Sequence, residues 1–241
     1  MKSRFIFAVP TVIALVLAAP AFAATGSWSF ENPKITKGEF PIRSACMMPA
    51  EGKLTKIGMK GGESMSKESE EWNTALQNLV EGHLKSASVD LVPALSTGAS
   101  GASEDEVRQV VLQIEQKYDG ISAKINRHPK DIAKSRYTLG DDVALLPCAA
   151  KADVIVFVRG EGQVVTNGKA TMTLFVGGAL PAAVLILTMA DAKTGEILAF
   201  ARLVNVERFG SKFMEDSEKV YGPGLNKQFK RLHIGEYVGK K

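Results

Sequence analysis

The residue types that could do covalent chemistry are few and scattered. Ser64 and Lys67 stand in an S-x-x-K spacing, and Lys193-Thr194-Gly195 follows far downstream. In serine acyl enzymes of the penicillin-binding type, that Lys takes the Ser proton and K-T-G lines the site. The rest of the context is missing. No S-D-N-like triplet lies between the two motifs, and Lys67-Glu68-Ser69-Glu70-Glu71 reads as a solvated helix start. A Ser-Lys acyl enzyme is therefore a remote alternative. Gly160-Glu161-Gly162 after an apolar run suggests a phosphate loop, but the third Gly of a dinucleotide fingerprint is absent. Gly168-Lys169-Ala170 carries Ala where a magnesium-binding Ser or Thr belongs. His83, His128 and His233 show no paired metal-ligand spacing. The residues thus imply no catalytic group, no cofactor and no metal, and the chain reads as a non-enzyme.

Composition narrows the remaining classes. The 241 residues hold 30 Lys and Arg against 26 Asp and Glu, 45% are hydrophobic, and only two are Cys. That balance excludes a disordered chain and a disulfide scaffold. No concentrated basic stripe marks a nucleic-acid partner. The mildly basic C-terminal stretch, Lys227 to Lys241, reads as a solvated tail.

The N-terminus carries an address. Lys2 and Arg4 precede the apolar run Phe5 to Leu17, and Ala21-Phe22-Ala23 is an A-x-A cleavage site with Ala24 as the mature start. Residues 1–23 are therefore expected to be a signal peptide. Its removal takes two basic residues and no acid. The first Cys is Cys46, so no lipid-bearing Cys follows the leader. The expected location is the periplasm, with extracellular or membrane-associated placement as alternatives. In an oxidising compartment Cys46 and Cys148 either pair or remain two buried thiols. In the chain-entropy model such a bridge is worth about 4–5 kcal/mol.

Elements must position these groups. Residues 24–40 lack a period and read as an N-terminal extension. An apolar run from Ile42 to Met48 reads as a strand, and Glu51 to Ser66 as a loop. Lys67 to Ser86 places Trp72, Leu76, Leu79, Val80, His83 and Leu84 on one helical face. Val89 to Val92 reads as a strand. Ser103-Glu104-Asp105-Glu106 is a capping box, opening a helix with Val107, Val111, Ile114 and Tyr118 on one face. Asp119-Gly120 is a point where that helix could close. Leu139 to Lys151 reads as a helix made awkward by Pro147. Asp153 to Arg159 is a β-branched run expected of a buried strand. Ala183 to Met189 and Ile197 to Val206 are expected to form an antiparallel hairpin, with Asp191, Thr194 and Gly195 at its turn. Ser211 to Val220 reads as helical, and 221–241 as a tail. The fold class is α/β: a single mixed sheet, helices mainly on one face, and a C-terminal antiparallel hairpin. The α/β domain is set at 41–220.

Ala152-Asp153 before a buried strand, Gly160-x-Gly162 after it, and Asp191-Ala192-Lys193-Thr194-Gly195-Glu196-Ile197-Leu198 joining two strands form a pattern. It resembles the curli-secretion lipoprotein superfamily of CsgG-type secretion components and LpoB-type envelope lipoproteins. That resemblance implies a core similar to anticodon-binding and TolB N-terminal domains, and envelope assembly or binding over catalysis. The missing lipid-bearing Cys departs from the family pattern.

One apolar stretch bears on partners. Ala170 to Ala190 is 21 residues without a charge, between Lys169 and Asp191. It could span a bilayer as a helix by length alone, yet it contains Gly177-Gly178 and Pro181. The alternatives are a strand preceded by an apolar loop, or an inserting β-hairpin. Leu174, Phe175, Val176, Leu180 and Pro181 are the expected partner or membrane contact. The expected function is an exported module that binds another envelope protein. Peripheral membrane contact and an oligomer are both compatible with it. The alternative is an oligomeric membrane-inserting secretion component.

Overall fold

The computed structural model describes residues 27–58, 61–95, 103–165, 183–205 and 217–234. These form an α/β structure around one mixed sheet of eight strands. The central strand is β6 (Val154–Val165). Its start, Val154 to Val158, is buried on both faces, which explains the unbroken β-branched run. On one side β6 pairs antiparallel with β7 (Ala183–Asp191), and β7 pairs antiparallel with β8 (Ile197–Asn205). On the other side it pairs parallel with two strands in tandem. β2 (Ser44–Met47) runs beside Val154 to Val156, and β3 (Glu51–Gly58) beside Arg159 to Val165. Pro49 separates β2 from β3, because its ring nitrogen offers no hydrogen to the ladder. β5 (Asp90–Pro93) extends the sheet beyond β2, and β4 (Gly61–Ser64) beyond β3. β1 (Trp28–Glu31) pairs antiparallel with β8 at the far edge.

Two of the three long helices among the described residues share one face. α2 (Ser66–Ser86) and α4 (Ser217–Arg231) cover a core with Trp72, Leu76, Val156, Leu185, Tyr221 and Phe229. α3 (Glu104–Arg127) covers the other face, over Cys46, Ile155, Phe157, Ile186 and Phe200. α1 (Pro33–Thr36) is a single turn after β1, with the Asn32 side chain accepting from the Lys34 amide. The α3 capping box forms: Ser103 Oγ accepts from the Glu106 amide, and Glu106 accepts from the Ser103 amide.

Several expectations need correction. Residues 24–40 contribute strand β1 and turn α1, because Trp28 and Phe30 stack into the α3-side core. Glu51 to Ser64 is a β-hairpin; parallel pairing to β6 overrides its Gly- and Lys-rich composition. The α3 helix passes through Asp119-Gly120 to Arg127. Residues 141–151 form short 3₁₀ turns, Asp141–Leu145 and Ala149–Lys151, broken where Pro147 cannot donate. Gly160-Glu161-Gly162 is no loop but the middle of β6. The last helix begins at Ser217 and runs to Arg231, so much of the expected tail is helical. Ala183 to Ala190 is strand, which removes a transmembrane helix over 170–190. No helix among the described residues is long and apolar enough to cross a membrane.

Candidate functional site

The β6 register gives the end of the sheet nearest the candidate contact segment. Among the described residues, Gly162 with Ala183 is the β6–β7 pair nearest that segment. At the same end lie the Gly58–Gly61 pair of β3 and β4 and, among the described residues, the final β7–β8 pair, Ala183 with Asn205. The connection between β6 and β7 spans residues 166–182, against the tight Asp191–Ile197 turn joining β7 to β8. Leu174, Phe175, Val176, Leu180 and Pro181 fall in that connection, outside the described residues. Ala23 and Ala24 also lie outside them.

At the opposite end, the β7–β8 turn is built by three residues. Asp191 Oδ1 accepts from the Lys193 and Thr194 amides at 2.7 and 3.2 Å. Gly195 has φ +68°, and a Cβ there would meet Gly140 O at 2.6 Å. Glu196, next in the chain, accepts from Asn32 Nδ2 at 2.8 Å and pairs with Lys34 Nζ at 2.5 Å. This clasp ties the N-terminal segment to the hairpin. Burial opposes ionisation of Glu196, but its hydrogen bonds to Lys34, Ser135 and Asn32 outweigh it and hold the carboxyl below its ordinary range.

The same registers separate the acyl-enzyme motif. Ser64 pairs with Thr55, which lies beside Gln163; Asp191 lies beside Val154. Nine residues of β6, or about 30 Å of strand, stand between those two levels. Ser64 and Lys193 therefore belong to opposite ends of the sheet.

Cys46 and Cys148 form a disulfide, with Cα atoms 5.4 Å apart and both side chains buried. It joins β2 to the 3₁₀ connection that enters β6. His83 bridges the two helices on the other face: Nε2 lies 3.0 Å from Glu218 Oε2, and Nδ1 lies 3.1 Å from Asn226 Oδ1. His128 caps the end of α3, and His233 follows α4. The described residues contain no group of three His, Cys, Asp or Glu placed to hold a metal.

The structure assembles one polar cluster that the sequence reading misses. Arg159 ends the buried start of β6, and its guanidinium lies 5.1 Å over the Tyr118 ring. Tyr118 stacks on Phe157 at 4.2 Å and meets Thr188 Oγ1 at 2.8 Å. Arg159 Nη1 donates to the Pro49 and Val158 carbonyls at 3.4 Å. The strand break at Pro49 thus leaves a carbonyl that Arg159 reaches. Arg159 Nε sits 3.5 Å from both Glu51 Oε2 and Asp119 Oδ1, at the solvent side. Glu115 lies deeper on α3. Its burial, then the charge of Glu51, push its carboxyl up to about 7, against the pull of Arg159. Two signals were available for this cluster. Arg159 is a charge closing an apolar strand, and Glu115 falls four residues after Val111, beside the apolar stripe of α3.

A groove of about 230 Å³ lies between α4 and the β1–β8 edge, lined by Trp28, Leu203, Tyr221 and Arg231 among others. Its polar wall is internally satisfied. Arg231 donates to Ser29 Oγ at 2.8 Å and Glu31 Oε2 at 2.9 Å, and Gln228 donates to Glu31 Oε1 at 3.1 Å.

No family model matches the chain. No curated protein matches it either. Among solved structures, it is similar to a PelC dodecamer from Paraburkholderia phytofirmans, with 10% identity and a TM-score of 0.37. That match covers 86% of this chain and 95% of that one. It is also similar to lipoprotein GNA1162 from Neisseria meningitidis, with 10% identity and a TM-score of 0.33, over 77% of this chain and 96% of that one.

Proposed function

We propose that the chain is an exported, non-enzymatic module that binds another envelope component through the apolar connection between β6 and β7. One observation carries this reading. Gly162 of β6 pairs with Ala183 of β7, and residues 166–182 join these two antiparallel strands. Segments that join the strands of a sheet are where binding residues concentrate. This one holds Leu174, Phe175, Val176, Leu180 and Pro181, with Lys169 as its single charge. The leader-like N-terminus supports export, and the buried Cys46–Cys148 disulfide fits an oxidising compartment.

Membrane insertion is the weaker reading on length. With Ala183 to Asp191 in β7, the segment 166–182 is short of the ~20 residues of a spanning helix. Phe175→Ser with Val176→Ser tests the binding reading in the full chain. The tagged wild type should retain a defined set of cross-linked envelope proteins. The double variant should lose that set while its thermal unfolding stays unchanged. The same set on both proteins would overturn the proposal. Alkaline carbonate washing separates the alternative, since retention in the washed membrane would favour insertion.

A further inference from the structure

Three acids on the α3 side of the sheet share one guanidinium. Glu51 and Asp119 already flank Arg159 Nε at 3.5 Å each. Glu115 is 7% exposed, and its Oε1 has no hydrogen-bond partner among the described residues. Arg159 faces it from β6, Glu51 from β3, and Asp119 lies one turn along its own helix. The Tyr118 hydroxyl is engaged with Thr188. A third carboxylate charge would therefore be buried beside two acids that already face the one guanidinium, and Glu51, its hydrogen-bond neighbour, repels it, which is costly in a low-dielectric site.

We propose that Glu115 is a proton-operated latch between α3 and the sheet. Uncharged, it lets the centre of α3 seat over β6. Ionised, it drives that turn away from the β3–β6 ladder towards water. The step is loss of one proton to solvent, and no other bond is made or broken. The neighbours of Glu115 on α3, Val111, Ile114 and Tyr118, are all buried, so this turn also anchors the apolar layer. The sign follows from the raised carboxyl. Its contribution to packing is fully present below the ordinary carboxylate range, and is lost as pH rises to about 7. This is opposite to the usual case, in which paired carboxylates make a fold weaker in acid.

Hydrogen exchange of the full chain, with its disulfide intact, tests the latch. Peptides from 104–127 are followed from about pH 5 to about pH 8.5 and corrected for intrinsic exchange. The opening equilibrium of α3 should rise about tenfold or more across that range. Peptides from α2 should change far less. Glu115→Gln should hold α3 at its protected, acid-side level throughout. A carbon-13 titration of the Glu115 carboxyl in the wild type provides an independent reading, with a midpoint near neutrality. Glu51→Gln should lower that midpoint, because it removes the neighbouring negative charge. The proposal is overturned by a flat wild-type profile, by the same slope in Glu115→Gln, or by a carboxyl titrating in the ordinary range near about 4.3.

Discussion

Glu196 illustrates how one side chain can hold distant parts of the chain. It meets Asn32, which is 1% exposed, and Lys34, both more than 160 positions earlier in sequence. Truncation to Ala would leave the Asn32 amide short of an acceptor in a buried place. A buried polar group stripped of its partner costs about 1–3 kcal/mol. Glu196→Ala should lower stability by that amount in a denaturant titration. The pH dependence has a definite sign. The lowered carboxyl contributes stability above the ordinary carboxylate range, and that contribution is lost as pH falls through its folded value. Glu196→Gln should remove this acid-side component. Neither residue announces itself in sequence. Asn32 sits in a stretch without period, and Glu196 looks like an ordinary turn acid.

Among the elements, α2 shows how tightly a helix can seat on a sheet. Its Trp72 lies against Gly52 of β3 and Gly160 of β6. A Cβ on Gly160 would meet Trp72 Cη2 and Leu76 Cδ1 at 2.7 Å. Overpacking of this kind costs about 1–3 kcal/mol. Gly160→Ala should therefore destabilise by that amount, and Trp72→Phe should partly relieve it in a double-mutant cycle. Additive effects would show that the ring and the strand are not in contact. This contact also explains the Gly-Glu-Gly triplet. Gly160 serves close helix approach, where a local reading sees a phosphate loop. The α3 N-terminus is the opposite case, legible because the capping box is local. Ser103→Ala should cost about 1 kcal/mol by the loss of the Oγ acceptor, measured by thermal unfolding.

For the molecule as a whole, the Cys46–Cys148 bridge is the largest single constraint. It closes a loop with a sequence separation of 102, enclosing β3, β4, α2, β5 and α3. Its loss should cost about 4–5 kcal/mol on the chain-entropy account. At ~2–4 °C per kcal/mol for a protein of this size, a paired Cys46→Ala, Cys148→Ala variant should unfold roughly 10–20 °C lower. Reduction of the wild type under denaturing conditions, followed by refolding with the thiols blocked, should reproduce that loss. An unchanged midpoint would mean that the bridge contributes nothing to the folded state.

The sequence by itself determined those features whose causes are local. Strands β6, β7 and β8 follow from β-branched runs and a turn carrying Asp191 and Gly195. Helices α2 and α3 follow from apolar stripes at helical spacing, and the capping box marks where α3 starts. Together these establish an α/β fold with one mixed sheet. Tertiary structure alone decided the features that depend on partners far along the chain. β1 is a strand because β8 offers it an edge, and β3 is a strand because the far half of β6 does. Both override weak local preference, since backbone groups beside an open edge gain hydrogen bonds that composition cannot foretell. The Arg159 cluster is of the same kind. Glu51 and Asp119 look solvated in sequence, and the positions of Arg159 and Glu115 beside apolar runs do not say that they meet. Only the crossing of α3 over β3 and β6 brings three acids to one buried guanidinium.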